Sequence, residues 1–305
     1  MRRLALLPLL LAACAKPGAE RLKVGVSMLR ISQPVFLAAE RGLFAARGLD
    51  VELVAYDTAQ PFADELAAGR LDAAGYVALP ILFAREGGPA PVRLATALIE
   101  DDAHPLSFLL VPPGSDARAV RDLDGRTIGL LPTRAYRVWL EAVLEKAGLA
   151  ADRVTFRNLA PAQQVDALAS GAVDALFTGD PMATAALARG AGRVLRDGAE
   201  VPRALGAPFV FGSFALSDEL VRRRPAAAAA LTGALDEAIA AISLDADLGR
   251  AALAARLRES ERALAPRYAP ARYLASSDVE LAGVDAALEV LGAAPAAAGL
   301  VWRRP

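Results

Sequence analysis

The chain has 305 residues, 55% of them hydrophobic, with 34 Lys and Arg against 35 Asp and Glu for a formal net charge of −1. That length allows one large or two moderate domains with an ample core, and the balance of charge, with no basic run, argues against nucleic acid as a partner. One cysteine, Cys14, permits no intrachain disulfide, and one histidine, His104, cannot supply a usual zinc set, so neither a metal nor a cofactor is expected.

Arg2 and Arg3 precede the apolar run Leu4 to Leu11, and Ala12 and Ala13 lead to Cys14. A run of that length is too short to span a bilayer, so residues 1–13 read as a cleavable export signal. The ending Leu11-Ala12-Ala13-Cys14 resembles a bacterial lipobox, which implies cleavage before Cys14, lipidation of that cysteine and a lipidated linker over residues 14–20. No later apolar run approaches the roughly 20 residues of a spanning helix, so the body is expected outside the cytoplasmic membrane, tethered by acyl chains alone.

After the linker, strand and helix signals alternate. Leu22 to Val26, Val51 to Ala55, Asp72 to Tyr76 and Val92 to Ala97 read as strands. Helices are predicted over Pro34 to Ala46, ended by Gly48, over Pro61 to Ala68, and from about Leu79. This βαβαβαβ order is that of a parallel sheet covered by helices.

The second half repeats the order, with strands at Thr127 to Leu131, Val154 to Asn158 and Val173 to Thr178 and helices ending near Gly148, Ser170 and Arg189. Within it, Val165 to Phe177 repeats Ala63 to Gly75 at an offset of 102 positions, sharing Asp, Leu, Ala, Gly, Asp and Ala. Each copy reads as a helix closed by glycine, a strand opened by aspartate and a turn bearing proline. Leu106 to Val111 and Phe209 to Leu216 are apolar strand-like runs that bracket this second unit as crossovers. Thereafter the pattern is helical, with a long helix from Pro225 and a last one striped by Val284, Leu288 and Leu291 and capped by Ser277 or Asp278. The expected architecture is α/β with two lobes: residues 21–105 with 215–305 form lobe 1, and residues 106–214, with the crossover strands, form lobe 2. Two crossovers make a hinge, and such lobes can close on a ligand.

The stretch Val24 to Val54, with its Gly42-Leu43-Phe44 and Gly48-Leu49-Asp50-Val51-Glu52, resembles the periplasmic substrate-binding proteins for nitrate, sulfonates, taurine and thiamine-precursor pyrimidines. Leu66 to Pro80 and Leu168 to Pro181 resemble later blocks of the same family, one in each lobe. The resemblance implies a two-lobed periplasmic-binding-protein fold, type II like. It also implies a monomeric receptor that hands a small-molecule ligand to the permease and ATPase of an ABC transporter and has no catalysis of its own.

In open α/β sheets ligands bind at the carboxyl ends of strands and the amino ends of the following helices. That rule nominates the loops Leu29 to Gln33, Thr58 to Gln60, Tyr76 to Ala78, Pro132 to Tyr136 and Thr178 to Pro181, with Pro34, Pro61 and Pro181 at first helical positions. Candidate ligand-binding residues are Arg30, Ser32, Gln33, Thr58, Tyr76, Val77, His104, Thr133, Arg134, Tyr136 and Asp180. Arg30 and Arg134 are placed to clamp an anion bidentately, their alternative being solvated surface arginines. Tyr76 and Tyr136 are placed to stack on a planar ligand or to pack beside the sheet. Asp180 either caps the following helix or meets a ligand amine, and His104 precedes the first crossover. Phe209 and Phe211 read as core before ligand wall, the alternative being that alternation along the strand turns one of them into the cleft. The arginines and helix termini point to a small anion such as a sulfonate, nitrate or carboxylate, whereas the tyrosines and Asp180 point to an amino-bearing heterocycle such as a thiamine-precursor pyrimidine. Two other classes are weighed on the same fold, a pyrimidine-synthase-like enzyme and the partner of a membrane sensor. The first is disfavoured because Lys16, Lys23 and Lys146 all lie away from the cleft loops.

Overall fold

A computed structural model describes residues 18–83, 89–196, 198–206, 208–291 and 297–304. The expected export signal and Cys14 lie outside the described residues, as does most of the linker. The first lobe opens with β1 (Glu20–Ser27), α1 (Gln33–Glu40), β2 (Leu49–Tyr56), α2 (Ala59–Ala67), β3 (Ala73–Ala78), α3 (Leu79–Phe83) and β4 (Val92–Glu100). The second holds β5 (Phe108–Val111), β6 (Thr127–Leu130), α4 (Arg134–Lys146), β7 (Thr155–Asn158), α5 (Pro161–Ala169), β8 (Ala175–Thr178), α6 (Met182–Ala188), β9 (Arg193–Val194) and α7 (Glu200–Leu205). The chain then returns to the first lobe as β10 (Phe209–Ser217), followed by α8 (Asp218–Arg223), α9 (Pro225–Leu244), α10 (Ala246–Ala254), α11 (Glu259–Arg262), β11 (Arg272–Leu274), α12 (Leu281–Glu289) and α13 (Ala297–Leu300).

Both lobes are built on the same plan. The first sheet runs β11-β4-β10-β3-β1-β2 and the second β7-β6-β8-β5-β9. With the crossover strand β5 set aside, so that β1 counts as the first strand of lobe 1 and β6 as that of lobe 2, the first strand of each lobe pairs in parallel with the two that follow it. An antiparallel crossover strand is then wedged beside the third: β10 between β3 and β4, and β5 between β8 and β9. The sheets are therefore mixed, not wholly parallel, because each lobe takes in a strand that arrives from the other. Phe209 to Ser217 accordingly lies wholly within the first sheet.

The repeated block has a structural cause. Gly69 and Gly171 close their helices at φ 73°, in the left-handed region open to glycine. Asp72 then accepts a hydrogen bond from the Lys23 backbone N–H through Oδ2 at 2.7 Å, and Asp174 does the same for Thr127 at 2.8 Å. In each lobe this aspartate ties the third strand to the start of the first.

Some element ends differ from the periodic pattern. The helix expected over Pro34 to Ala46 stops at Glu40, because Gly42 turns at φ 67° before a short 3₁₀ turn over Ala45–Arg47. Pro34 and Pro61 sit one and two residues inside their helices, where the first turn has no use for a proline N–H, and Pro181 stands at the N-cap. The last striped helix begins after Glu280, with no side-chain cap from Ser277 or Asp278. Helix α9 is long and apolar enough by length and composition to cross a membrane, contrary to the sequence reading. Here it is a core helix, packed on α1, α8, α10 and three strands of the first sheet, with Leu231, Leu235 and Ala238 fully buried.

Candidate functional site

The lobes meet over a cavity of about 40 Å³, on the scale of one to a few water molecules. Lobe 1 contributes Leu29, Arg30, Ile31, Thr58, Ala59, Ala78, Ile81 and Phe211 to its wall. Lobe 2 contributes Leu131, Thr133, Ala135, Tyr136, Gly179, Asp180 and Met182, and Leu106 comes from the connection between β4 and β5. A larger groove of about 560 Å³ lies beside it, sharing Leu29 and Met182 and lined also by Arg189, Arg256 and Arg258. The inner cavity is the better candidate, because both lobes, one connection and the starts of α2 and α4 converge on it.

The fold delivers these groups through its strand ends. Thr58 is the N-cap of α2 and makes no capping bond with its side chain, so the first turn of α2 presents uncapped backbone amides beside Ala59. Thr133 is the N-cap of α4, its Oγ1 accepting from the Tyr136 backbone N–H at 3.4 Å. Gly179 follows β8 at a point where a Cβ would lie 2.7 Å from the Leu106 carbonyl oxygen and 2.8 Å from the Tyr136 hydroxyl. Only glycine lets the connection and Tyr136 approach so closely.

Arg30 is the electrostatic centre. Its side chain is 1% exposed, with both terminal nitrogens hydrogen-bonded and Nε in an ion pair but without a hydrogen bond among the described residues. Nη1 donates to the Ala269 carbonyl at 2.6 Å, Nη2 donates to the Pro105 carbonyl at 2.5 Å, and Nε lies 3.3 Å from Asp180 Oδ2. Asp180 in turn accepts from the Thr184 N–H at 3.1 Å and from its hydroxyl at 2.7 Å, holding the start of α6. Arg30 is thus a buried tie among the tail of lobe 1, the connection and lobe 2, and not a free clamp. Asp180 both caps and pairs, and its carboxylate is committed within the protein.

Tyr136 lies edge-on to Trp139 and Phe177. Burial, together with the charges of Glu100 and Asp180, pushes its phenol well above the usual range. Trp139 also contacts Phe209 and Phe211 of β10, so an aromatic seam crosses between the lobes beside the cavity.

Other nominated residues do not line the cavity. Tyr76 sits at a bulge, where two residues of β3 face Phe214 of β10, and takes φ 56°, a strained value for a bulky side chain. Its ring is wholly buried against Phe214 and Tyr273, and its hydroxyl accepts from Thr96 Oγ1 at 3.0 Å. The bulge explains why the strand end gives this tyrosine to the core and not to the cleft. Val77 is buried beside it, Ser32 meets Ser27 at 3.3 Å, and the Gln33 amide lies under α10 near Gly249. His104 pairs through Nδ1 with Asp101 Oδ1 at 2.8 Å in the connection; burial works against the Asp101 charge, but bonds from His104 and Arg272 outweigh it and hold that carboxyl below its usual range. Arg134 spans the lobes, its Nη1 donating to the Ile81 carbonyl and its backbone N–H to Gln60 Oε1, both at 3.4 Å.

Glu100, which the sequence reading passed over, is wholly buried at the end of β4. Its Oε1 accepts from the Leu106 and Ser107 N–H groups at 2.8 and 2.7 Å and from the Ser107 hydroxyl at 2.7 Å, while Oε2 is buried without a hydrogen-bond partner among the described residues. Burial pushes its carboxyl up to about 7, against the pull of those bonds and of Arg30. Its only signal in the sequence is a glutamate closing the apolar run Ala97-Leu98-Ile99.

Known proteins share both fold and sequence with this chain. An aliphatic sulfonates-binding protein of Escherichia coli is 28% identical over 192 residues, 62% of this chain and 59% of its own length. The chain therefore spans less than two thirds of that relative. The solved alkanesulfonate-binding protein SsuA of Xanthomonas axonopodis pv. citri matches with a TM-score of 0.72 at 23% identity, covering 95% of this chain and 100% of its own. The desulfurization enzyme DszB also matches, with a TM-score of 0.63 at 18% identity over 92% of this chain and 96% of its own. Those two likenesses establish a periplasmic-binding-protein fold that one of its members uses for catalysis. The NMT1-like family matches over residues 15–257, most of the length, and the chain belongs to it.

Proposed function

We propose that this protein is the extracytoplasmic solute-binding receptor of an ABC importer, without catalysis of its own. In this reading it captures a small organic anion, sulfonate-like, between its lobes and delivers it to a membrane permease. The observation that carries the reading is the inner cavity, where the starts of α2 and α4, with Thr58 and Thr133, face a wall of Leu29, Ile31, Leu131, Met182 and Phe211. Helix starts hold unpaired N–H groups and positive partial charge, which suit an anionic head, and the wall suits a short apolar tail. Because Arg30 and Asp180 balance each other, the helix starts supply the positive potential for the head. Relatives named for binding aliphatic sulfonates support the same ligand class. The pyrimidine reading has less support, since Tyr76 is buried off the cavity and Asp180 is already paired. Among the described residues that line the cavity none is Lys, His or Cys, which supports binding over covalent chemistry.

A cavity this small requires the lobes to part for an organic ligand to enter. A thermal-shift panel of alkanesulfonates, nitrate, aromatic carboxylates and pyrimidines tests the reading. Alkanesulfonates at about 100 times their dissociation constant should stabilise the protein by about 2.7 kcal/mol, and a panel in which nothing raises the melting point would remove the receptor reading. The lipid anchor is tested separately. Cys14→Ser should move the protein from the membrane to the soluble fraction, and persistence in the membrane would place the anchor elsewhere.

A further inference from the structure

Glu100 lies at the root of the connection that forms one wall of the cavity. Its Oε1 gathers the N–H groups of Leu106 and Ser107, while Arg30 holds the neighbouring Pro105 carbonyl. Leu106, between these two anchors, lines the cavity together with Arg30 and Tyr136. One cation therefore serves two buried carboxyls, Asp180 by contact and Glu100 by proximity. With both ionised this cluster carries net charge −1, and with Glu100 protonated it is neutral. Oε2, which has no hydrogen-bond partner among the described residues, is where a proton can sit without breaking any of the three bonds to Oε1.

Resting on the receptor reading above, we infer that anion capture in this cavity is coupled to uptake of one proton from solvent, which Glu100 holds while the anion is bound. An anion in the cavity adds a negative charge to a site whose buried cluster already holds one too many, and in a water-poor interior such charges repel strongly. Protonating Glu100 removes that repulsion, and the proton returns to solvent when the lobes open and the anion leaves.

The groups around Glu100 leave it as the proton's natural seat. Arg30 faces it from the loop after β1 and Tyr136 from α4; Ser107 binds it from the connection; Phe209 of β10 lies opposite in register. Asp101, the residue next to Glu100 just beyond β4, is bonded to Arg272 of β11 and also holds His104. Burial already lifts the Glu100 carboxyl to about 7, above the ordinary 4.5. A bound anion lifts it further, so anion affinity falls as pH rises. Well below 7 the proton is in place before binding and the dependence vanishes; above it the loss approaches about tenfold per pH unit.

The probe is ethanesulfonate, which stays ionised throughout. Calorimetric titrations at about pH 6 and pH 8.5, in buffers of different protonation enthalpy, count protons directly. Wild type should take up few protons per anion at the lower pH and nearly one at the higher, with a Kd weakened at least tenfold. Glu100→Gln keeps the three acceptor bonds and should bind with no uptake and no pH slope. His104→Asn should retain the uptake, whereas its loss in that variant would give the proton to His104 and overturn the inference. Binding with no uptake in wild type, or equal uptake in Glu100→Gln, overturns the proton coupling alone. If ethanesulfonate binds neither protein, the receptor reading for sulfonates falls and takes the coupling with it. A ligand-free measurement then still reports on Glu100. A raised carboxyl stabilises the fold at acid pH and loses that contribution as pH rises through about 7, so the melting point of wild type should fall relative to Glu100→Gln over that range.

Discussion

Arg30→Met is expected to lower folding stability by about 3–5 kcal/mol, the usual cost of breaking a buried ion pair from one side. The substitution keeps an unbranched apolar stem and removes only the guanidinium. What it leaves behind is Asp180, 6% exposed and without its cation, and two carbonyls, of Ala269 and Pro105, without their donor. Urea unfolding followed by the fluorescence of Trp139, which lies in the aromatic seam between the lobes, measures the loss. Asp180→Asn combined with Arg30→Met should recover part of it, because a neutral amide costs less to bury than an unpaired carboxylate. A loss below about 1 kcal/mol would mean that Arg30 does not tie the lobes, and would restore the clamp expected from its place in the loop after β1.

Gly179→Ala is expected to cut affinity for any ligand of the cavity by about 5- to 150-fold, while leaving each lobe folded. A Cβ there would stand 2.7 Å from the Leu106 carbonyl oxygen, which cannot retreat without carrying the connection with it. Overpacking of this kind costs about 1–3 kcal/mol. Gly179 follows β8, which pairs with β5 just beyond Leu106, and Tyr136 lies on α4, so the cost falls on the cavity wall that Leu106, Tyr136 and Gly179 form. A cost of that size borne by the wall in the ligand-bound state corresponds to the stated loss of affinity. Titration with the sulfonates of the panel measures it, and an unchanged Kd would mean that the ligand does not use this wall.

The contrast between these residues shows what could be read from a single chain. Arg30, Thr58, Thr133, Tyr136 and Asp180 were all placed at the cleft by one rule, that ligands meet the carboxyl ends of strands, and all five line the cavity. The rule locates a loop, but says nothing of what a side chain in the loop is already bonded to. Arg30 and Asp180 lie 150 positions apart, and their pairing depends on how the lobes close. Tyr76 fails for another reason. One extra residue in β3 turns its ring from one face of the sheet to the other, and nothing in Gly75-Tyr76-Val77 announces a bulge.

By itself the sequence determined two α/β units of one design. It did so through local physics: glycines that end helices, aspartates that open strands, and apolar spacing at periods of two and 3.6 residues. The copy at Val165 to Phe177 carried this most plainly, and the matched bonds of Asp72 and Asp174 to the first strand of each lobe explain why both copies keep that aspartate. The sequence marks β5 and β10 as crossovers, but only the tertiary structure decided which sheet each completes and that both run antiparallel to their neighbours, because an apolar run does not name its partners. It alone also decided that Glu100 is buried at the root of the connection with one oxygen unpartnered among the described residues, since burial and hydrogen-bond partners depend on groups far away in the chain.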